Sequence, residues 1–404
     1  MSPHAVQPTP GPPRPGLDFH KYAITRNAFL PDQSPVAVLS DPYYAPWEAI
    51  GQNLAELIDT DAIRDAVRRM PLLSVDKLVS EPEWRRAYSM LAFMTHAYVW
   101  GGDKPEEILP PQISVPFLQV SAHVELPPVL TYAAANLWNF TCPSGSSFSD
   151  SEQLSLCFSF TGTASESRFL LLSVAMVAAG LDALRACIDG VAALLDRMPE
   201  RCDPMIFYHR IRPFLAGSQN MAAAGLPRGV FYDEGDGKGE WRRLRGGSNG
   251  QSSLIQFFDV VLGVEHAGHG GASHASFHEE VREYMPGPHR RFLVHVARMG
   301  SIREFAMLPE DGCPEQRHLR EAYTAATTAL AAFRQRHIAI VTRYIIIPSR
   351  QPWEGKRWRQ NLASSSSALQ GDEKLTGTGG TALVPFLKKA RDETTEAGKL
   401  QRRQ

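Results

Sequence analysis

From Glu315 to Ile347, apolar side chains recur at helical spacing: Ala326, Leu330, Phe333, Ile340 or Val341, and Tyr344, with His337 in the middle of the stripe. Pro348 ends the pattern, since proline cannot continue a helix. A helix of that length is about 50 Å long and must lay its apolar stripe on other elements. Further helical signals surround it. Spacing predicts helix within Trp47–Met70, and Ser80-Glu81-Pro82-Glu83 reads as a capping box opening a helix to about Trp100. Pro127–Asn139, Pro204–Leu215, Gln251–Val264, Ser276–Tyr284, Pro288–Met299 and Ala382 to about Arg391 read as helices too. Arg168–Met198 is apolar almost all round, as the central helix of a bundle would be. Pro110–Val124 is β-prone and broken by proline, and reads as a short strand or an irregular crossing chain. Strand signals are otherwise sparse, so the expected class is all-α.

The expected organisation is a Pro-rich tail (1–16), a small mostly helical N-terminal domain (17–160) and a large helical C-terminal domain (161–404). Cys142–Asp150 lacks helical period and marks the approach to the boundary. Residues 351–380 are rich in Ser, Gly and Lys, and a loop of that length reads as a mobile lid.

Composition removes several function classes. Lys and Arg number 42 and Asp and Glu 43, so no bulk charge favours nucleic acid or a membrane surface. The five cysteines are scattered and form no CxxC pair, which excludes zinc ribbons and thioredoxin-type motifs and suits a reducing compartment. The first sixteen residues hold six prolines and no apolar core, unlike a signal peptide. The longest apolar run, Phe169–Leu181, is shorter than the roughly 20 residues a bilayer needs. The expectation is a cytoplasmic monomer without membrane or nucleic-acid partners.

Four segments carry candidate chemistry. His337 reads either as a core histidine with one hydrogen bond or as an axial ligand, because a neutral imidazole on an apolar helix face suits haem iron. Arg334 lies on nearly the same face, within reach of a propionate. Gly246–Ser253 (GGSNGQSS) precedes a helix and reads either as a capped flexible loop or as a backbone N–H cradle for an anion. Asp203–Arg212 places Tyr208 and Arg212 on one helical face, either a plain amphipathic helix or an aromatic shelf beside a carboxylate clamp. His266, His269, His274 and His278 lack HExxH spacing and are interrupted by glycines, so an exposed loop between helices explains them more cheaply than a metal site.

Taken together, these segments resemble one family. GGSNGQSS followed by Phe258-Asp259-Val260, the Phe333–Pro348 run FRQRHIAIVTRYIIIP, and Gly377–Thr381 (GTGGT) look like signatures of the indoleamine 2,3-dioxygenases. Leu126-Pro127-Pro128 with Tyr132, and Tyr284-Met285-Pro286, fit as well. The resemblance covers about Gly16 to Arg391. It implies a two-domain helical protein binding one haem b, its smaller domain packed over the larger. It also implies O2 as co-substrate, inserted across the indole C2–C3 bond of L-tryptophan or related indoleamines to give N-formylkynurenine, on a route toward NAD. An electron donor would keep the iron ferrous.

By this resemblance His337 is the proximal ligand, Arg334 the propionate-side arginine and Asp259 its ion-pair partner. Arg212 holds the substrate carboxylate, and Phe207 and Tyr208 form the aromatic pair against the indole. Tyr132, Phe169 and Ser173 are distal-pocket residues, Ser248 and Asn249 belong to the loop beside the haem, and Thr378 to the mobile loop. Leu170, Ala135, Asn249 and Tyr208 depart from commoner family residues. No side chain is assigned as an acid or base. The competing expectation is a haem protein of the same fold that stores or senses O2 with little turnover; an Arg212 clamp favours the enzyme.

Overall fold

The computed structural model describes residues 18–181, 184–266, 277–309, 314–353 and 383–400. Helices carry the fold, as expected: α1 (Ala45–Gln52), α2 (Leu54–Asp59), α3 (Ile63–Arg69), α4 (Glu81–Trp100), α5 (Pro111–His123), α6 (Ala164–Ala178) and α7 (Leu184–Asp196). Next come the short α8 (Pro204–Ile206) and α9 (Arg212–Leu215), joined by a π-helical turn, Phe207–Ile211. Then follow α10 (Ser253–Leu262), α11 (Phe277–Arg282), α12 (Gly287–Arg298) and α13 (Ile302–Ala306). The long α14 (Pro314–Val341) runs through a second π turn, Thr342–Ile346, into α15 (Ile347–Ser349), and α16 (Leu383–Ala397) packs on it.

The capping box at Ser80 forms: Glu83 Oε2 accepts from the Ser80 and Val79 amides at 3.1 and 3.0 Å. It starts the most enclosed helix in the molecule, since every residue of α4 from Arg86 to Trp100 is buried. The one charged group in that stretch, Arg86, is bidentate to buried Glu48 at 2.7 and 2.5 Å. A buried guanidinium needs such a partner. Phe160 stacks on Phe93 of α4 (4.5 Å) and on Phe214 (4.8 Å), so the chain before and after residue 160 shares one apolar core.

Several expected elements differ. The central all-buried helix is α4. The run expected as one helix from Arg168 to Met198 is two, α6 and α7. They part near Gly180, where an added Cβ would lie 2.8 Å from Leu254 Cδ1. Pro110–Val124 is a genuine helix, α5, with Pro111 in its first turn, and the only strand nearby is the two-residue Ile108–Leu109 that precedes it. Its proline content misleads because Ile113, Phe117 and Val120 bury completely on one face, outweighing the interior Pro116. Pro127–Asn139 is helical only in a π turn, Ala133–Leu137. Its preceding carbonyls are satisfied from outside, Pro127 and Val129 by the Tyr88 hydroxyl at 2.8 and 3.0 Å.

The strands β1 (Ile108–Leu109), β4 (Val230–Gly235) and β5 (Lys238–Arg242) form a small sheet, while β2 (Phe140–Thr141) and β3 (Ser155–Leu156) pair alone. The β4–β5 hairpin has its sequence signal in Asp236-Gly237, both at positive φ. The parallel β1–β4 pairing stitches the first third of the chain to the middle. No helix among the described residues is long and apolar enough to cross a membrane.

Candidate functional site

One cavity of about 240 Å³ gathers most of the singled-out residues. Helix α14 contributes Phe333, Arg334 and His337, and α6 contributes Phe169, Leu170 and Ser173. Tyr132, Ala135 and Asn136 come from the π turn Ala133–Leu137 and its cap, Phe207 from the π turn Phe207–Ile211, and Tyr344 from the π turn Thr342–Ile346. All three π turns among the described residues therefore border this space. Such turns widen a helix by one residue and re-aim side chains, which is why they gather at functional sites. The loop Gly247–Gly250, which includes Ser248 and Asn249, and α16 close the remaining sides.

His337 lies deep in the protein, yet keeps accessible area on the cavity wall. Burial first, and then the nearby Arg334 cation, pushes its pKa down to about 4, so the ring is neutral. It makes no hydrogen bond with any described residue. A neutral imidazole with an unused nitrogen on an apolar wall can take a metal centre.

Arg334, one turn earlier, is bidentate to Asp259 at 2.6 and 2.8 Å, and also reaches the Ala390 carbonyl at 3.0 Å and the Thr394 hydroxyl. The expected Arg334–Asp259 ion pair is thus present, and it fastens α14 to α10 and α16. Burial raises the Asp259 carboxyl, but Arg334 and His266 outweigh it and hold its pKa at about 2.

The reading of His266 and His278 as members of an exposed loop is corrected. The two rings stack at 3.8 Å, and His266 bridges Glu393 (2.6 Å) and Asp259 (3.2 Å). The chain folds them under α16, against Phe386, which sequence spacing does not reveal. Burial, with His266 next, pushes His278 down to about 3. Asp259, His266 and His278 bring ligand atoms within 4.8 Å of one another. Stacked rings aim their lone pairs side by side instead of at one point, and Arg334 already holds Asp259. The cluster therefore reads as a buried polar network. His269 and His274 lie outside the described residues.

Arg212 is buried on the cavity wall, and burial lowers its pKa, opposed by Tyr208. Phe207 lines the cavity and packs on Phe169 (4.7 Å) and edge-on to Tyr344 (5.7 Å). Tyr208 does not line it. Neighbouring helical positions point about 100° apart, so Tyr208 is sealed behind the wall with its ring 5.6 Å from the Arg212 guanidinium carbon. The aromatic pair is one wall and one backing. Ser173 donates to the Phe169 carbonyl at 3.5 Å. Burial raises the Tyr132 phenol to about 12, against hydrogen bonds with Ser252 and Ser173, so it stays protonated. Thr378 lies outside the described residues, as does nearly all of the expected 351–380 lid.

The GGSNGQSS loop is held, not loose. The Gln251 amide donates to the Gly246 carbonyl and its oxygen accepts from the Tyr132 amide, both at 2.9 Å. Gly246 crosses the chain after Arg212 so closely that a Cβ would sit 2.1 Å from the Leu215 carbonyl. Ser248 Oγ accepts from the Gly250 amide at 3.2 Å.

Sequence reasoning missed His96. Its Nδ1 donates to the Phe214 carbonyl at 2.7 Å and its Nε2 accepts from the Leu130 amide at 3.0 Å. It thereby ties the segment entering Tyr132 to the segment leaving Arg212. Its only signal was a histidine inside the apolar run of α4.

With the geometry in place, similarity to known proteins points one way. The family model described as "Indoleamine 2,3-dioxygenase" matches residues 18–186 and 175–397. An indoleamine 2,3-dioxygenase of Aspergillus nanangensis is 38% identical, over 94% of this chain and 97% of its own. One from Saccharomyces cerevisiae is 37% identical over 94% of each. A 6-hydroxytryptophan 2,3-dioxygenase of Fusarium equiseti is 36% identical, over 94% of this chain and 97% of its own. The matched stretches cover every described wall of the cavity, and this chain belongs to the indoleamine 2,3-dioxygenase family.

Proposed function

We propose that this protein is a haem dioxygenase that inserts both atoms of O2 across the indole C2–C3 bond of L-tryptophan, giving N-formylkynurenine. The observation that carries the reading is His337: a deep, neutral imidazole with no hydrogen-bond partner among the described residues, facing an apolar cavity. That donor would hold haem iron, and the apolar walls would enclose the group and keep water from it. In this reading Arg334, fixed by Asp259, supplies positive charge on the propionate side. Bound haem supplies the oxygen chemistry.

The protein's part is placement and exclusion of water. Arg212 holds the substrate carboxylate, and Phe207 and Phe169 press on the indole. Tyr132, Ser173, Ser248 and Asn249 shape the polar rim, and Thr378 contacts the substrate from the 351–380 loop. No acid or base is needed from the protein, which agrees with a Tyr132 phenol that stays protonated. An external electron donor would keep a bound haem iron ferrous, and in this reading the chain works as a cytoplasmic monomer on a route toward NAD.

A second substrate reading, a ring-hydroxylated tryptophan, is favoured by the Fusarium relative's 6-hydroxytryptophan activity. The test is turnover of haem-reconstituted protein with reductant, tryptophan and isotopically labelled O2. Both label atoms should appear in N-formylkynurenine. Reversible O2 binding without product from any indole would turn the assignment to the oxygen-binding alternative.

A further inference from the structure

Asn136 sits in the π turn Ala133–Leu137 and lines the same cavity as His337 and Arg212. It is 6% exposed. Its Nδ2 donates to the Tyr132 carbonyl at 3.2 Å, which fixes which end of the amide is nitrogen, since a carbonyl can only accept. The opposite end, Oδ1, is buried and has no hydrogen-bond partner. Asn139, three residues on, shows what a structural asparagine does in this fold. Its Nδ2 donates to the Ala135 and Phe158 carbonyls at 3.3 and 3.0 Å, and its Oδ1 accepts from the Phe158 amide at 2.8 Å. A buried amide oxygen without a donor costs stability, and because Asn136 lines the cavity, a turn of its amide would bring that oxygen to a donor on a ligand.

We infer that Asn136 is a specificity-determining residue whose Oδ1 accepts a hydrogen bond from a donor on the substrate's bicyclic ring. The inference rests on the indole dioxygenase reading and narrows it. With the substrate carboxylate at Arg212, the remaining donors of an indole substrate are the α-ammonium beside it, which every substrate below shares, and those on the ring: the pyrrole N–H, or a hydroxyl where the ring carries one. The two ring donors present the same chemistry to a carbonyl oxygen. Ala135 beside it adds only a methyl group to the cavity wall, so Asn136 is the polar contribution of this turn's side chains. A site with a buried acceptor discriminates strongly against ligands that leave it unpaired, whereas an apolar wall does not.

The experiment is a cycle of wild type and Asn136→Leu against tryptophan, 1-methyltryptophan and 5- and 6-hydroxytryptophan. Two readouts are taken on the haem-loaded protein: kcat/KM, and dissociation constants by calorimetry. If the pyrrole N–H is the donor, wild type disfavours 1-methyltryptophan by about 10- to 100-fold, the worth of a buried hydrogen bond, and Asn136→Leu erases the difference. If a ring hydroxyl is the donor, wild type prefers one hydroxytryptophan by a similar factor and the variant loses that preference. Asn136→Ala is the second variant should leucine crowd the turn, and the wild-type comparisons need no variant. Equal changes for all four compounds, in both readouts, overturn the inference even though turnover persists. Absence of oxygenated product from every compound overturns the dioxygenase reading instead, and the calorimetric cycle still decides the role of Asn136.

Discussion

His96 and His337 are both deep, and burial depresses both to a pKa of about 4. They differ in what their nitrogens do. On the α4 spine, His96 uses both, joining the Leu130 amide to the Phe214 carbonyl. On the cavity wall, His337 uses neither with any described residue. The comparison teaches that burial and a shifted pKa do not mark a functional histidine. Unsatisfied capacity beside open space does. The spine histidine is spent on holding two cavity segments together, and the wall histidine keeps its ring nitrogens for a guest.

The largest expected effect is at the wall. His337→Ala should abolish stable haem loading, and with it the Soret band and turnover, while shifting apo-protein stability by no more than about 1 kcal/mol, since no protein hydrogen bond is lost. Full activity and a normal Soret band in that variant, without added imidazole, would break the comparison.

Arg212→Leu should lower kcat/KM for tryptophan on the order of 10²–10³, from the roughly 2–5 kcal/mol of a truncated buried charge pair. Haem content and CO binding should stay normal. Arg212→Lys should recover only part, because an ammonium lacks the planar fork. Tryptamine, without the carboxylate, should be affected much less; an equal penalty would mean that Arg212 acts through packing.

At the spine the effect should be the reverse of the wall's. His96→Leu strands a buried N–H and a buried C=O, and should cost about 2–5 kcal/mol of apo-protein stability in urea titrations. Loss of haem without loss of stability in this variant would put His96 at the wall after all.

The most gradual effect is in pH. His96 and His289 have folded pKa values lowered from 6.5 to about 4 and about 3. The unfolded chain therefore binds their protons first. Their contribution is complete above about pH 6.5 and is lost as pH falls toward the folded values. The slope is on the order of 1.4 kcal/mol per pH unit for each histidine. Apo-protein stability at pH 7.5, 6 and 5 should fall, and His96→Gln should flatten the slope. An unchanged slope would mean that His96 titrates as in the unfolded chain.

The sequence alone determined what is local. The stripe through α14 fixed that helix and placed His337 and Arg334 on one side of it. Ser80 and Glu83 fixed the start of α4, and GGSNGQSS with FRQRHIAIVTRYIIIP pointed to the family. Each is a pattern within a few helical turns, set by backbone periodicity and capping. The tertiary structure decided what depends on partners distant in the chain. It broke the Arg168–Met198 run at Gly180 against Leu254, made α5 a helix through its buried face, and buried His266 and His278 under α16. It also turned Tyr208 behind the cavity wall and left Asn136 with an unused oxygen. Periodicity tells which face of an element is buried. Whether a buried polar atom there is satisfied depends on groups that only folding brings within hydrogen-bond distance, and at this site that balance separates a strut from a ligand contact.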